Sequence, residues 1–161
     1  MNLTHKVLKL LGMKLAQEML ESPVPTEQRL FRAIITLALE DVLSHSQGRH
    51  EAVAKADAHD WFIGDGEDYK NTCYLAGLDS DWVKEKYLKA LDNGQVTFTM
   101  KQHLQVKYTR LYEDLRAAKD TGHRKLIQKE IDKLRQRIFK LKSLTFCDKS
   151  DRKKSNEINK K

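Results

Sequence analysis

The sequence predicts an all-α fold, and three observations predict it. Apolar side chains recur at spacings of three and four along most of the 161 residues, the period of helices buried on one side. Apart from Gly12, the prolines and glycines fall between these periodic runs or at their ends. The one stretch with strand character, Gln95-Val96-Thr97-Phe98, is too short to build a sheet. The expected architecture is a compact helical body over 1–94 with a helix-turn-helix-like pair at 67–91. An antiparallel helical hairpin over 99–143 and a disordered basic tail over 148–161 complete it.

Each element follows from its own residues. Leu8, Leu11, Leu15 and Met19 form one stripe of an amphipathic helix over 3–20, and Ser22-Pro23-Val24-Pro25 stops it, because proline lacks the amide proton and restricts its predecessor. Lysines on the opposite face give this helix some membrane-surface character, but packing on the next helix explains the stripe better. That next helix runs from Thr26 to about Ser46. Leu30, Phe31, Ile34, Leu37, Ala38 and Val42 cover a wide face, which suits a central core helix ended by Gln47-Gly48. Residues 50–62 form an alanine-rich helix closing on Trp61 and Phe62, and Gly64-Asp65-Gly66 is a turn. Short helices over 67–77 and 80–91 follow, the second with Val83, Tyr87 and Leu91 on one stripe before Asp92-Asn93-Gly94.

Thr99 opens a long helix, with Gln102 three positions on as its capping-box partner. Its seam is Leu104, Tyr108, Leu111 and Leu115. A second long helix, after Lys119-Asp120-Thr121-Gly122, carries Ile127, Ile131, Leu134, Ile138 and Leu141. The two seams are out of heptad register, so one continuous rod would rotate its apolar face at residue 120. A hairpin folded at that point resolves the mismatch, with the seam closed internally or by a second chain in a homodimer.

Several function classes fall away. No apolar run approaches the roughly 18 residues of a membrane span, and no cleavable leader is legible. Cys73 and Cys147 lie far apart without CxxC spacing, so reduced thiols in a cytoplasmic protein are expected. The six histidines show no i, i+4 pair and no HExxH, and the acidic cluster Asp57, Asp60, Asp65, Glu67, Asp68 lacks the spacing of a calcium loop. No Walker loop or GxSxG occurs. A non-enzymatic protein without metal or cofactor is expected.

Charge is what remains. The chain carries +7 overall. From His123 to Lys161 there are 14 Lys/Arg against 5 Asp/Glu, or +9, whereas the first 122 residues hold 16 against 18, or −2. A near-neutral body with a basic end is a common footprint of nucleic-acid binding.

Two surfaces qualify. Around Gly77, a small residue (Cys73) lies four before the glycine, and Leu78, Asp79 and Val83 follow it at the spacing of a helix-turn-helix. In that motif the second helix enters the major groove. Ser80, Lys84 and Glu85 would meet base edges, with Lys86 and Lys89 nearer the backbone. Lys86 stands where such motifs carry an apolar residue, so Tyr87 must close the wedge, and Asp79 and Asp81 repel phosphate. Without the motif, the same residues make an ordinary helical corner with Trp82 and Tyr87 as core. The second surface is the last helix, where Arg124, Lys125, Lys129, Lys133, Arg135, Arg137 and Lys140 lie mostly outside the seam and suit phosphate or an acidic partner.

The stretch Ala56, Trp61, Asp68-Tyr69, Cys73, Ala76-Gly77-Leu78-Asp79, Val83 resembles a block in small regulators of alphaproteobacterial phages, prophages and gene-transfer agents. The resemblance covers residues 56–91 and excludes the hairpin. It implies a phage-type transcription regulator binding double-stranded DNA through a helix-turn-helix. The alternative is a factor that binds host RNA polymerase through the basic hairpin, in antitermination or polymerase modification.

Overall fold

Six helices and no strand make up the described part of the chain, so the fold is all-α. The computed structural model describes residues 25–158, with side chains through Leu141. The helices are α1 (Thr26–Leu43), α2 (Arg49–Gly64), α3 (Glu67–Leu75), α4 (Ser80–Asp92), α5 (Met100–Ala117) and α6 (Thr121–Ile158). They fall into two compact units that divide between Phe98 and Thr99. The amphipathic helix expected over 3–20 lies outside the described residues. So do most of its proline stop and the side chains of the tail over 148–161, whose helical backbone is followed to Ile158.

The core of the first unit is built where α1 to α4 meet. Phe62 stacks on Tyr87 with ring centroids 4.6 Å apart, and Tyr69 meets Phe62 and Trp61 edge-on. Ile35, Leu39 and Val42 of α1, Cys73 of α3 and Val83 of α4 close around these rings, all buried. Half of the expected α1 face reaches the core: Val42 is buried, and Phe31 and Ala38 pack against that core. The other half is corrected, because Ile35 and Leu39 are buried whereas Leu30, Ile34 and Leu37 are 60%, 41% and 58% exposed. The helix is apolar on more than one side, so hydrophobicity alone did not select the buried stripe. It also stops at Leu43: Ser44 turns extended (φ −65°, ψ 133°), and Gly48 serves instead as N-cap of α2.

Lys55 is fully buried inside this unit. Its Nζ donates to the carbonyls of Ser44 and Thr97, each at 2.8 Å, and lies 5.0 Å from the centre of the Phe98 ring. A buried ammonium is tolerated only when its protons are taken up, and here it joins the loop after α1 to the loop after α4. Residues 95–98 are therefore neither strand nor free loop: Val96 fills the core and the Thr97 carbonyl goes to Lys55.

The second unit is an antiparallel hairpin, as the seams required. Leu104 of α5 packs with Leu134 and Ile138 of α6, and Tyr108, Leu111 and Leu141 border them. Thr99 and Gln102 form the expected capping box, with the Gln102 amide donating to Thr99 Oγ1 at 3.2 Å and the Thr99 amide to Gln102 Oε1 at 2.9 Å. The turn lies earlier than expected. Asp120 Oδ2 accepts the His123 amide at 2.7 Å, which lets α6 begin at Thr121 and carries Gly122 inside the helix.

Replacing Lys55 by Met keeps the volume but leaves two carbonyls without a donor, so unfolding stability should fall by about 2–4 kcal/mol. Urea denaturation of Lys55→Met measures it. A loss under about 0.5 kcal/mol would mean that the two carbonyls find water instead.

Candidate nucleic-acid interface

The corner between α3 and α4 is a Schellman turn. The Leu78 amide donates to the Cys73 carbonyl at 2.9 Å and the Gly77 amide to that of Tyr74 at 3.0 Å, with Gly77 at φ +69°. Two side chains of α1 hold it from outside: Gln28 Nε2 and Arg32 Nε both donate to the Ala76 carbonyl, at 3.1 and 3.0 Å. A Cβ at position 77 would lie 2.0 Å from Gln28 Nε2, so glycine is needed for backbone conformation and for this approach. Asp79 then caps α4 by accepting the Trp82 amide at 2.8 Å. Cys73, Val83 and Tyr87 are buried, and burial raises the Cys73 thiol above its ordinary range.

On α4 itself, the residues expected to read DNA are held to different degrees, Ser80 through its backbone alone. The Ser80 carbonyl accepts the Tyr69 hydroxyl at 2.7 Å. Lys84, half-buried, lies 3.7 Å from Asp65 Oδ1. Glu85 and Lys89 pair with each other along the helix. The Lys86 ammonium sits 5.3 Å from the centre of the Trp82 ring. From Asp79 to Asp92 there are four Asp/Glu against three Lys, a net −1. A major-groove helix with that balance gains little from phosphate.

Asp65 organises this side of the unit. It is the one non-glycine described residue with positive φ, at +52°, and it ends α2 in the left-handed conformation. Its carboxylate bonds Lys70 at 3.0 Å. That hydrogen bond, with the charges of Lys70 and Lys84, holds the Asp65 carboxyl below the usual aspartate range. In the sequence Asp65 counts as a turn former and as one member of an acidic cluster. An aspartate between two glycines gives no sign of Lys84, nineteen positions away.

The hairpin presents a different surface. Ile127, Ile131, Leu134 and Ile138 are buried, and all seven candidate cations of α6 are exposed. They split into two sets. Arg124 and Arg135 serve the hairpin: Arg124 donates to the Ala118 carbonyl at 3.0 Å, and Arg135 donates to the Tyr112 hydroxyl at 3.0 Å beside Asp132 at 3.7 Å. Lys125, Lys129, Lys133, Arg137 and Lys140, spaced 4, 4, 4 and 3, form a row on the face away from the seam. At 1.5 Å per residue the row is about 22 Å long. Among the described residues, Lys125, Lys129, Lys133 and Arg137 take part in no hydrogen bond or ion pair.

The charge division is sharper than the sequence halves suggested. Residues 99–141 hold twelve Lys/Arg against five Asp/Glu, or +7, and residues 25–98 hold eight against thirteen, or −5. Among the described residues no three His, Cys, Asp or Glu side chains gather as a metal site requires, and no helix is long and apolar enough to cross a membrane. No known protein family matches the chain, and neither a curated protein nor a solved structure matches it.

Two outcomes follow from this geometry. Gly94 also has positive φ (+67°) but open space around its missing Cβ. Gly94→Ala should therefore cost about 1 kcal/mol of strain, and Gly77→Ala about 2, since it also displaces Gln28 from Ala76. In a Gln28→Ala background the two costs should converge, as denaturant midpoints will show. Asp65, with its carboxyl lowered in the folded state, stabilises the fold above the ordinary aspartate pKa of about 3.9 and loses that contribution as pH falls through its lowered value. Urea midpoints taken from neutral pH down to about pH 2 should thus fall further for the wild type than for Asp65→Asn.

Proposed function

We propose that the protein is a non-catalytic regulator of transcription that grips the phosphate backbone of double-stranded DNA along the Lys125–Lys140 ridge of α6. The observation that carries this reading is the ridge: five exposed cations in one helical row, within residues 99–141 of net charge +7. Such a row neutralises successive phosphates without reading bases, and the release of condensed counterions supplies the affinity. The resemblance of residues 56–91 to phage-type regulators is what attaches transcription to it.

A second reading has α4 reading base edges through Ser80, Lys84 and Glu85, with Lys86 and Lys89 on the backbone. The Schellman turn at Gly77, the buried Cys73 and Val83 and the Asp79 cap favour it. Its charge balance makes α4 a selector dependent on the ridge for affinity. Under the polymerase-binding alternative, the same ridge docks on an acidic protein surface and DNA is not retained.

Retention of fragmented genomic DNA separates these. The wild type should hold DNA near physiological salt. The triple variant Lys125→Glu, Lys129→Glu, Lys133→Glu should bind at least about tenfold more weakly, with the log–log salt slope shallower by about 3. Lys84→Ala with Glu85→Ala should leave total retention unchanged and alter which fragments are enriched if α4 selects sequence. No retention by the wild type would overturn the DNA reading and direct the search to polymerase.

A further inference from the structure

Phe139 of α6 is 72% exposed, although its chain neighbour Ile138 is buried in the seam. Among the described residues it joins no other ring. With Arg135, Gln136 and Lys140 it lines a shallow hollow of about 400 Å³. The setting is cationic throughout: from Lys133 to Cys147 the sequence holds five Lys/Arg and no Asp or Glu. At about 100° per residue the ring falls between the outer row of cations and Arg135 at the edge of the seam. Arg135 is steadied there by the Tyr112 hydroxyl at 3.0 Å, and the Tyr112 ring lies 4.9 Å from that of Tyr108.

A ring this exposed contributes little to the hairpin. A bare aromatic among cations is how proteins hold unpaired bases: charge follows the phosphates and the ring takes the face of a base. The core of a protein-docking surface has the opposite composition, apolar and depleted of charge. An intact duplex offers the ring no face either, because its bases already stack on one another and parting them costs energy.

We infer that Phe139 is a stacking site for an unpaired base, so that the α6 ridge prefers DNA at a junction between duplex and single strand. This rests on the ridge reading above and names the form of DNA the ridge takes. The row from Lys125 supplies the phosphate contacts. Phe139 stands level with its last two cations, Arg137 and Lys140, where a strand leaving the duplex presents its first free base.

Fluorescence anisotropy of the full chain tests it with a short blunt duplex, the same duplex with an unpaired thymine overhang, and the same duplex with an abasic overhang of equal length. The two overhangs carry the same phosphates, so charge alone binds them equally. The thymine overhang should bind at least about fivefold more tightly than the abasic one. Phe139→Ala and Phe139→Leu should erase that difference and leave affinity for the blunt duplex unchanged, and Phe139→Trp should keep it. Leucine retains apolar area without a π-face, and none of these changes touches the buried seam. Equal binding of the two overhangs by a wild type that holds the blunt duplex would overturn the stacking site and leave the ridge standing. A preference that survives in Phe139→Ala or Phe139→Leu would overturn it as well. Binding of none of the three would overturn the ridge reading and this inference with it.

Discussion

Burial of four aliphatic side chains on α6 decides where its charges point. Ile127, Ile131, Leu134 and Ile138 cannot remain in water, and α5 supplies the complementary face through Leu104, Tyr108 and Leu111. Once that seam is closed, the helical period leaves Lys125, Lys129, Lys133, Arg137 and Lys140 no position but the outer face. The cations at the seam's edge have other work: Arg124 holds the turn and Arg135 holds Tyr112. The ridge is thus a consequence of packing, and seven cations that look alike in the sequence divide into two that build the hairpin and five that face outward.

The first unit obeys a different constraint. Its corner at Gly77 has a tight turn, the Asp79 cap and buried Cys73 and Val83, yet the exterior of α4 is close to charge-neutral and its lysines lie beside intramolecular neighbours: Asp65, Trp82 and Glu85. Backbone shape and surface charge point in different directions here. Shape alone fits any tight helical corner; binding of a polyanion also requires charge, and that lies in the other unit.

Much of this was legible in the sequence. The helices, the hairpin and the Thr99–Gln102 box follow from local rules, because a cap or a heptad seam is written in residues a few positions apart. The Cys73–Gly77–Val83 turn is similarly local. Contacts over long separations were not legible. Lys55 is fixed by carbonyls 11 and 42 positions away, and the Ala76 clamp by side chains 48 and 44 away. The orientation of α1 was misjudged for a related reason. With apolar residues on two sides, its buried face depends on which partners arrive, and α2 and α3 took Ile35 and Leu39 rather than Ile34 and Leu37. That the α6 cations lie outside the apolar seam was legible, but their division into ridge and scaffold needed the positions of Tyr112 and Ala118.

The central claim is that the outer face of α6, and not α4, meets nucleic acid first. Amide chemical shifts followed during titration with a short duplex of arbitrary sequence test it most directly. The account predicts salt-sensitive shifts from Lys125 to Lys140 and little change from Ser80 to Lys89. Shifts concentrated on Ser80–Lys89 with a silent α6, or no shifts anywhere, would contradict it.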